Sequence, residues 1–305
     1  MFDVVILTDS RYINPKKSNQ LIENVLLEDQ LVGDALEKIG LRTTRKAWDD
    51  SNFDWKSTKY ALFRSTWDCF DRFEEFSKWF QQTKELTRFI NSYELVSWNI
   101  DKHYLNNLQQ KAVNIPKTLF IEPDSQINLK HAIDQAKQHL GFKSEHLVLK
   151  PCIAGGARHT YKFHIDEWEK HNTTFQKLTA VEALMLQEFQ KNIVEHGEIS
   201  VVMFNGTYAH SILKVAQPGE FRVQDDYGGS IYDYQPSKEE IDFVKQVLNA
   251  SPDMPIYARV DIFRDNDDNL ALAELEIFEP ELWFRRYPKA ADIFAQGVKD
   301  SLFPI

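Results

Sequence analysis

YARVDIFRDNDDNLALAELEIFEP, residues 257–280, is the stretch around which the rest of the chain is organised. Tyr257, Arg259, Asp261 and Phe263 alternate with Ala258, Val260 and Ile262; beyond an acidic turn, Leu272, Glu274, Glu276 and Phe278 alternate with Ala273, Leu275 and Ile277. A period of two is that of a strand, so the segment predicts a β-hairpin turning at Asp265–Asn269. The same period places Arg259 and Asp261 on one face of the first strand, and Glu274 and Glu276 together on one face of the second. Like charges opposed across a hairpin repel unless a cation lies between them. Clustered carboxylate oxygens suit Mg²⁺, which usually also takes oxygens from a nucleotide phosphate. Two readings follow: a Mg-nucleotide site, or a solvated acidic face of the kind charged residues ordinarily form. A calcium loop is excluded. Asp265, Asp267, Asn269 and Glu276 have its spacing, but Leu270 stands where its sharp turn needs glycine, and the flanks have strand rather than helix periodicity.

The 305 residues, 43% hydrophobic and 13% aromatic, are enough for two or three subdomains with real cores, which excludes a disordered chain. A net charge of −10 argues against nucleic acid or an anionic membrane as the main partner. No stretch approaches the roughly 20 apolar residues that span a bilayer, and MFDVVILTDSRYI has neither a basic leader nor a small-residue cleavage site. The expectation is a soluble, cytoplasmic protein. Cys69 and Cys152 give no disulfide framework and no zinc spacing, and both are expected to be reduced.

Outward from the hairpin, DVVILT (3–8) followed by an amphipathic segment from Leu27 to Ile39, ending at Gly40, predicts a βα start. LRTTRKAW and YALFRSTW predict two further strands of a parallel sheet, in which ligands collect beyond the carboxyl ends. Arg64, Ser65 and Thr66 stand at such an end. Phe73, Phe76 and Phe80 share a helical face and are expected to pack in a core. A capped helix is expected from about Asp101, with a domain boundary near residue 100; Lys102 in its first turn opposes the helix dipole and would rather meet an anion. LVLKPCIAGGARHTYKF (147–163) predicts a strand ending at Lys150, a loop with Gly155 and Gly156, and a second strand. Adjacent glycines let backbone N–H groups approach phosphate oxygens and a lysine adds a point charge, although neither a Walker loop nor a dinucleotide motif is present. LMLQEFQKN ends another strand, and GEISVVMFNGTYAHSILKVA is a hairpin through Asn205 and Gly206 with Glu198 at its start and Lys214 near its end. Residues 217–234, which include Arg222, read as a glycine-marked loop. Ser237 and Glu240 form a capping box for a helix over 237–250.

Taken in order, WNIDK, VLKP with the AGGARHT loop, LQEF, GEISVV, LKVA, EFRVQDDYGG, ARVDIF and LEIFEP resemble the ATP-grasp ligases, the superfamily of D-alanine:D-alanine ligase and glutathione synthetase. RSTWD, WNIDKHYL, the alanine-bearing glycine loop and the Glu-Pro ending are also similar to the branch containing the cyclo-ligase of D-cycloserine biosynthesis. The resemblance covers roughly residues 98–284. It implies an α/β (α+β) ATP-grasp fold: an N-terminal Rossmann-like parallel-sheet domain on the substrate side (1–98), a central lid subdomain (99–186) and a C-terminal antiparallel catalytic subdomain (187–305). It also implies ATP and Mg²⁺ as cofactors. Lys102 and Lys150 would reach the phosphates, with the loop Ala154–Thr160, including Gly155, Gly156, Ala157 and Arg158, closing over them. Gln187, Glu188, Phe189 and Gln190 would line the adenine hinge, chiefly through backbone groups, and Glu198 would meet the ribose. Lys214 and Arg222 would contact phosphate or substrate carboxylate, and Arg259 would face the reacting carbon. Asp261 and Glu276 match the metal-binding acids. The family's Glu-x-Asn ending is absent, which leaves the third ligand between Glu279, preferred because it precedes Pro280, and Glu274.

The resemblance implies a ligase that phosphorylates a carboxylate and lets an amine attack the acyl phosphate. The chemistry needs positioning and charge neutralisation rather than a protein nucleophile. The expected partner is a small amino-acid-like molecule, recognised by Arg64, Ser65 and Thr66, whose guanidinium and two hydroxyls suit a carboxylate. No nucleic acid or membrane partner is expected, and a homo-oligomer is compatible with the sequence. The alternatives are a ligase that modifies a peptide or protein terminus, and an ATP-binding regulatory module without chemistry.

Overall fold

A computed structural model describes residues 1–223 and 228–303, and in it three sheets form from the predicted strand patterns. The N-terminal sheet contains β1 (Phe2–Thr8), β2 (Thr43–Ala47), β3 (Thr58–Ser65) and β4 (Arg88–Ile90), all parallel in the order β2-β1-β3-β4. Helices α1 (Gln20–Lys38) and α2 (Phe73–Thr83) make two of its crossovers. α1 begins well ahead of the expected Leu27 because Asn19 caps it, its Oδ1 accepting from the Ile22 amide at 2.9 Å. Phe76 and Phe80 of α2 are buried with Trp48, Phe63 and Phe89 in an aromatic core, as their helical spacing required. Phe278, just beyond the acid hairpin, enters the same core with its ring centroid 4.6 Å from that of Phe63, so the two ends of the chain share one packing unit.

A separate short helix, α3 (Tyr93–Asn99), precedes a turn that holds Lys102, and the helix expected from about Asp101 is α4 (Tyr104–Gln110), which starts after that turn. The central sheet is antiparallel, in the order β5-β8-β6-β7, from β5 (Thr118–Ile121), β6 (His146–Pro151), β7 (Tyr161–His164) and β8 (Leu184–Glu188). One of its faces is covered by α5 (Leu129–Leu140) and α6 (Trp168–Thr179), whose buried Leu129, Ile133 and Phe175 meet Leu147, Leu149 and Leu186.

After the short α7 (Lys191–His196) comes the third sheet, antiparallel in the order β11-β10-β9-β12-β13. β9 (Glu198–Phe204) and β10 (Thr207–Val215) form the predicted hairpin, with Asn205 and Gly206 both at positive φ as a tight turn of this hand demands. A short strand, β11 (Ser230–Asp233), pairs with β10 where the sequence reads as loop; the neighbouring Gln224–Tyr227, part of the EFRVQDDYGG motif, lie outside the described residues. α8 (Lys238–Ala250) has the capping box, the Glu240 amide donating to Ser237 Oγ at 3.2 Å and the Ser237 amide to Glu240 Oε2 at 2.6 Å. β12 (Tyr257–Arg264) and β13 (Leu270–Glu276) form the acid hairpin. In its turn, Asp265 accepts from the Asp267 and Asn269 amides at 3.0 and 2.9 Å, so that carboxylate shapes the turn and does not wait for calcium. The last helix, α9 (Pro288–Leu302), is not among the sequence expectations; it packs its buried Ala291, Phe294 and Val298 beside α1 and against Phe204 of β9.

Candidate active site

The hairpin register pairs Arg259 with Glu276 and Asp261 with Glu274, so the charged faces of the two strands coincide. The cations between the acids are protein groups. Arg259 donates through Nε and Nη2 to Asp261 at 3.0 and 2.9 Å and pairs with Glu276. From the neighbouring β9–β10 hairpin, Ser200 Oγ donates to Asp261 at 2.6 Å, and Lys214 Nζ lies 2.9 Å from Asp261 and 2.5 Å from Glu198. Lys102 Nζ stands 3.0 Å from Glu274 and donates to the Ala154 carbonyl at 2.6 Å, which ties the root of the glycine loop to the acid face. The backbone of β13 is held from α3 and α4: Asn99 Nδ2 donates to the Leu275 carbonyl at 2.8 Å, and the Leu275 amide donates to the Tyr104 hydroxyl at 2.8 Å.

This arrangement splits the carboxylates electrostatically. Burial alone would raise Asp261, but Arg259 and Lys214 overcome it and hold Asp261 below the ordinary carboxylate range. Burial also works against Glu274, and Lys102 and Lys150 bring it down. Glu276 is pushed up to about 7 by burial, with the charges of Glu274 and Asp261 adding to it and Arg259 only partly opposing. Glu279 is driven well above its usual range by burial and by Glu276. Among the described residues no ion pair or hydrogen bond reaches the Glu279 carboxylate, whereas Glu274 has Lys102. Lys150, at the end of β6, is the complementary cation: burial lowers its pKa, Glu274 offsets this only in part, and among the described residues no hydrogen bond or ion pair holds its ammonium.

Lys102, Lys150, Arg259, Asp261, Glu274, Glu276 and Glu279 line one cavity of about 730 Å³ between the central and C-terminal sheets, whose far wall comes from the turns that follow β1 and β3; Lys214 is not part of this lining and meets the site through Asp261 and Glu198. Gly155, Gly156, Ala157 and Arg158 form its rim; Gly156 and Ala157 have φ near +57°, and Arg158 is tied to Glu182 and to the Ile153 carbonyl at 3.0 Å. Gln187, Glu188, Phe189 and Gln190 line the other end. Their side chains are largely engaged in the protein. Gln187 donates to Thr118 Oγ1 at 2.8 Å, Glu188 accepts from the Ser144 amide at 2.8 Å, and Gln190 accepts from the Asn266 amide at 3.1 Å. The amides of Glu188 and Phe189 donate to the Lys117 and His146 carbonyls. Glu198 and Arg222 also line the cavity, Arg222 paired with Glu220 at 2.6 Å.

Arg64, Ser65 and Thr66 are not brought to this cavity. All three are buried, and Arg64 donates to the Pro280 carbonyl at 3.1 Å, lies 3.5 Å from Glu28 and stacks over Phe284. Arg64 and Ser65 line a separate cleft of about 20 Å³, which shares Leu21, Asn24, Trp67 and Glu281 with the large cavity. The groups that do face the cavity on this side are Arg11, Tyr12, Trp67, Phe70 and Asp71, none of which sequence reasoning singled out. The RSTWD string runs into them, so it pointed to the right wall one residue early. Asp101, His103 and Cys152 bring three potential ligand atoms within 4.8 Å, but His103 already has Asp101 at 2.6 Å and Glu122 at 3.1 Å on its two nitrogens. Burial, then Asp101, raises the Cys152 thiol, and both cysteines are free and buried.

Residues 4–91 match the family model of the N-terminal domain of the D-cycloserine synthetase DcsG. The cycloserine biosynthesis protein DcsG of Streptomyces lavendulae is 25% identical over 288 residues, 89% of this chain and 92% of that protein. The crystal structure of D-cycloserine synthetase DcsG superimposes with a TM-score of 0.85 at 24% identity, over 97% of this chain and 98% of that one. The ATP-grasp ligase PsnB, solved with a phosphomimetic variant of its minimal precursor, Mg and ADP, gives 0.64 at 14% identity over 98% of this chain and all of its own. No helix among the described residues is long and apolar enough to cross a membrane. The chain is thus similar in sequence to a cycloserine biosynthesis protein and shares the fold of the ATP-grasp ligases.

Proposed function

We propose that the chain transfers the γ-phosphate of ATP to the carboxylate of a small amino-acid-like substrate, and that an amine then displaces phosphate to form an amide-type bond. One observation supports this above the others: a lysine, Lys150, and a carboxylate, Glu279, neither of them paired among the described residues, face one cavity together with Arg259 and its acids. In this reading residues 1–98 form the substrate side, 99–186 the lid and 187–305 the catalytic part. Lys102, Lys150 and the loop from Ala154 to Thr160 hold the phosphates. Residues 187–190 and Glu198 hold the adenosine. Lys214, Arg222 and Arg259 neutralise charge at the reacting carboxylate. Arg64, Ser65 and Thr66 back the substrate wall through Trp67.

The donor set fits Mg²⁺, because Asp261, Glu276 and Glu279 offer hard oxygens and two of them are raised by burial and then by neighbouring acids, whose repulsion a cation would relieve. Glu279, unpaired among the described residues, is favoured over Glu274 as the third ligand. Asp261, Glu276 and Glu279 would hold Mg²⁺, which would supply charge neutralisation for phosphoryl transfer. The protein's own part is to orient the carboxylate, keep Arg259 aimed at it, and exclude water once the glycine loop is seated.

ADP release measured across a panel of amino acids and short peptides, with product masses recorded, tests the reading. Condensed products with small amino acids are expected. Products formed only with peptides would support modification of a peptide terminus, and Mg·ATP binding without turnover on any acceptor would leave only a regulatory module.

A further inference from the structure

Phe70 closes the turn Trp67–Phe70 that follows β3, and its ring lies where the glycine loop and the acid strand come together. A Cβ placed on Gly155 would fall 2.5 Å from Cε2 and 2.6 Å from Cδ2 of that ring. The same ring meets Phe278 edge-on with centroids 6.2 Å apart, and Phe278 stands between Glu276 and Glu279. Gly155 has no left-handed backbone to accommodate. Its neighbour Gly156 does, at φ +57°, with nothing within 4 Å of a notional Cβ. Glycine is therefore needed at 155 for space and at 156 for conformation.

We propose that Phe70 is a positioning residue that seats the 154–160 loop over the acids, and that position 155 is glycine in order to admit its ring. The proposal rests on the phosphoryl-transfer reading above and deepens it. Trp67, in the same turn, lines the substrate end of the cavity, so closure of the loop over nucleotide is tied to the wall that meets the acceptor. ATP would then be sealed from water only when that wall is in place.

Amide hydrogen exchange of residues 153–160 in the full chain tests this with Phe70→Ala, Gly155→Ala, the double variant, and Gly156→Ala alone and combined with Phe70→Ala. Exchange in β9 serves as the internal reference for global opening. Phe70→Ala and Gly155→Ala should each speed exchange of the loop about tenfold relative to β9. Their combination should be no faster than the faster single variant, since both remove one contact. Gly156→Ala should instead add its effect to that of Phe70→Ala, and Phe70→Tyr should restore wild-type exchange. A double Phe70/Gly155 variant whose effects multiply, or a Phe70→Ala loop that exchanges as wild type, overturns the proposal. Should Phe70→Ala fail to fold, Phe70→Leu takes its place in the same cycle. Binding of Mg·AMPPNP to the wild type is measured in parallel; its absence would sink the nucleotide reading while leaving the cycle interpretable.

Discussion

Two buried arginines grip opposite sides of the segment that follows the acid hairpin. Arg259 donates to the Glu281 carbonyl at 3.4 Å and lies over the Trp283 ring at 5.2 Å; Arg64 donates to the Pro280 carbonyl at 3.1 Å and lies over Phe284 at 5.3 Å. Their local chemistry is nearly the same, and both looked like ligand-binding groups in the sequence. What separates them is what lies beyond. Arg259 opens onto the large cavity, where acids converge and, among the described residues, Glu279 has no ion-pair partner. Arg64 faces Glu28, which also accepts from the amides of Phe284 and Arg285 at 3.0 and 2.8 Å and from the Arg285 side chain at 3.2 Å. The Arg259 cluster adjoins a cavity of about 730 Å³, whereas the Arg64 cluster, though Arg64 Nε has no hydrogen-bond partner among the described residues, adjoins a cleft of only about 20 Å³ and fastens residues 280–287 to α1. Buried charge marks a site only where incomplete pairing by the fold coincides with room for a ligand.

The largest effect expected from this contrast lies on the Arg259 side. Asp261→Asn with Glu276→Gln should lower ATP turnover by roughly 10²–10³-fold, the scale of losing preorganised charge at a reacting centre, and should also lower the thermal midpoint, because Arg259 and Lys214 lose a buried anion. Wild-type turnover in that variant would return the hairpin to a structural ion-pair network. On the other side, Arg64→Ala should cost about 3–5 kcal/mol in denaturant unfolding, because Glu28 loses a buried cation. If stability held and only the acceptor's KM rose, Arg64 would belong to the substrate site after all.

The segment between the two arginines carries a pH test. Burial holds His210 neutral, with a pKa pulled down to about 4, while its Nε2 donates to the Leu282 carbonyl at 2.7 Å. The unfolded chain takes up this proton near pH 6.5, the folded one only near 4, so stability is fully present above pH 6.5 and falls as the pH drops through this window. The loss should be about 3 kcal/mol by pH 4, and His210→Gln should flatten that part of the curve. The smallest effect is expected at Thr66, whose buried hydroxyl has no partner. Thr66→Val should leave stability within about 1 kcal/mol, and a rise in the acceptor's KM would show that the hydroxyl meets substrate.

Local patterns were read well wherever a period was the signal. The 257–276 hairpin, the β9–β10 hairpin with its Asn-Gly turn, the capping box of α8, and the strand–glycine loop–strand of β6 and β7 all follow from spacing and turn chemistry, which act over a few residues. Less was legible where the deciding contact came from far away. α9 has an amphipathic face like many surface helices, and only its fit against α1 and Phe204 shows what that face is for. The Lys102 turn was read as a helix start because nothing nearby reports that its ammonium reaches Ala154 and Glu274.

By itself, then, the sequence determined which residue types converge: the alternation in β12 and β13 obliges Arg259, Asp261, Glu274 and Glu276 to share a face once the strands pair in register. The tertiary structure alone decided which buried charges remain available. That depends on partners contributed across more than 200 positions, such as the Pro280 carbonyl to Arg64 and Glu28 to the Phe284 amide, and on a ring, Phe70, that reaches Gly155 from the turn after β3. Side-chain periodicity fixes direction along an element, but satisfaction of charge is set by three-dimensional packing, to which local sequence is blind.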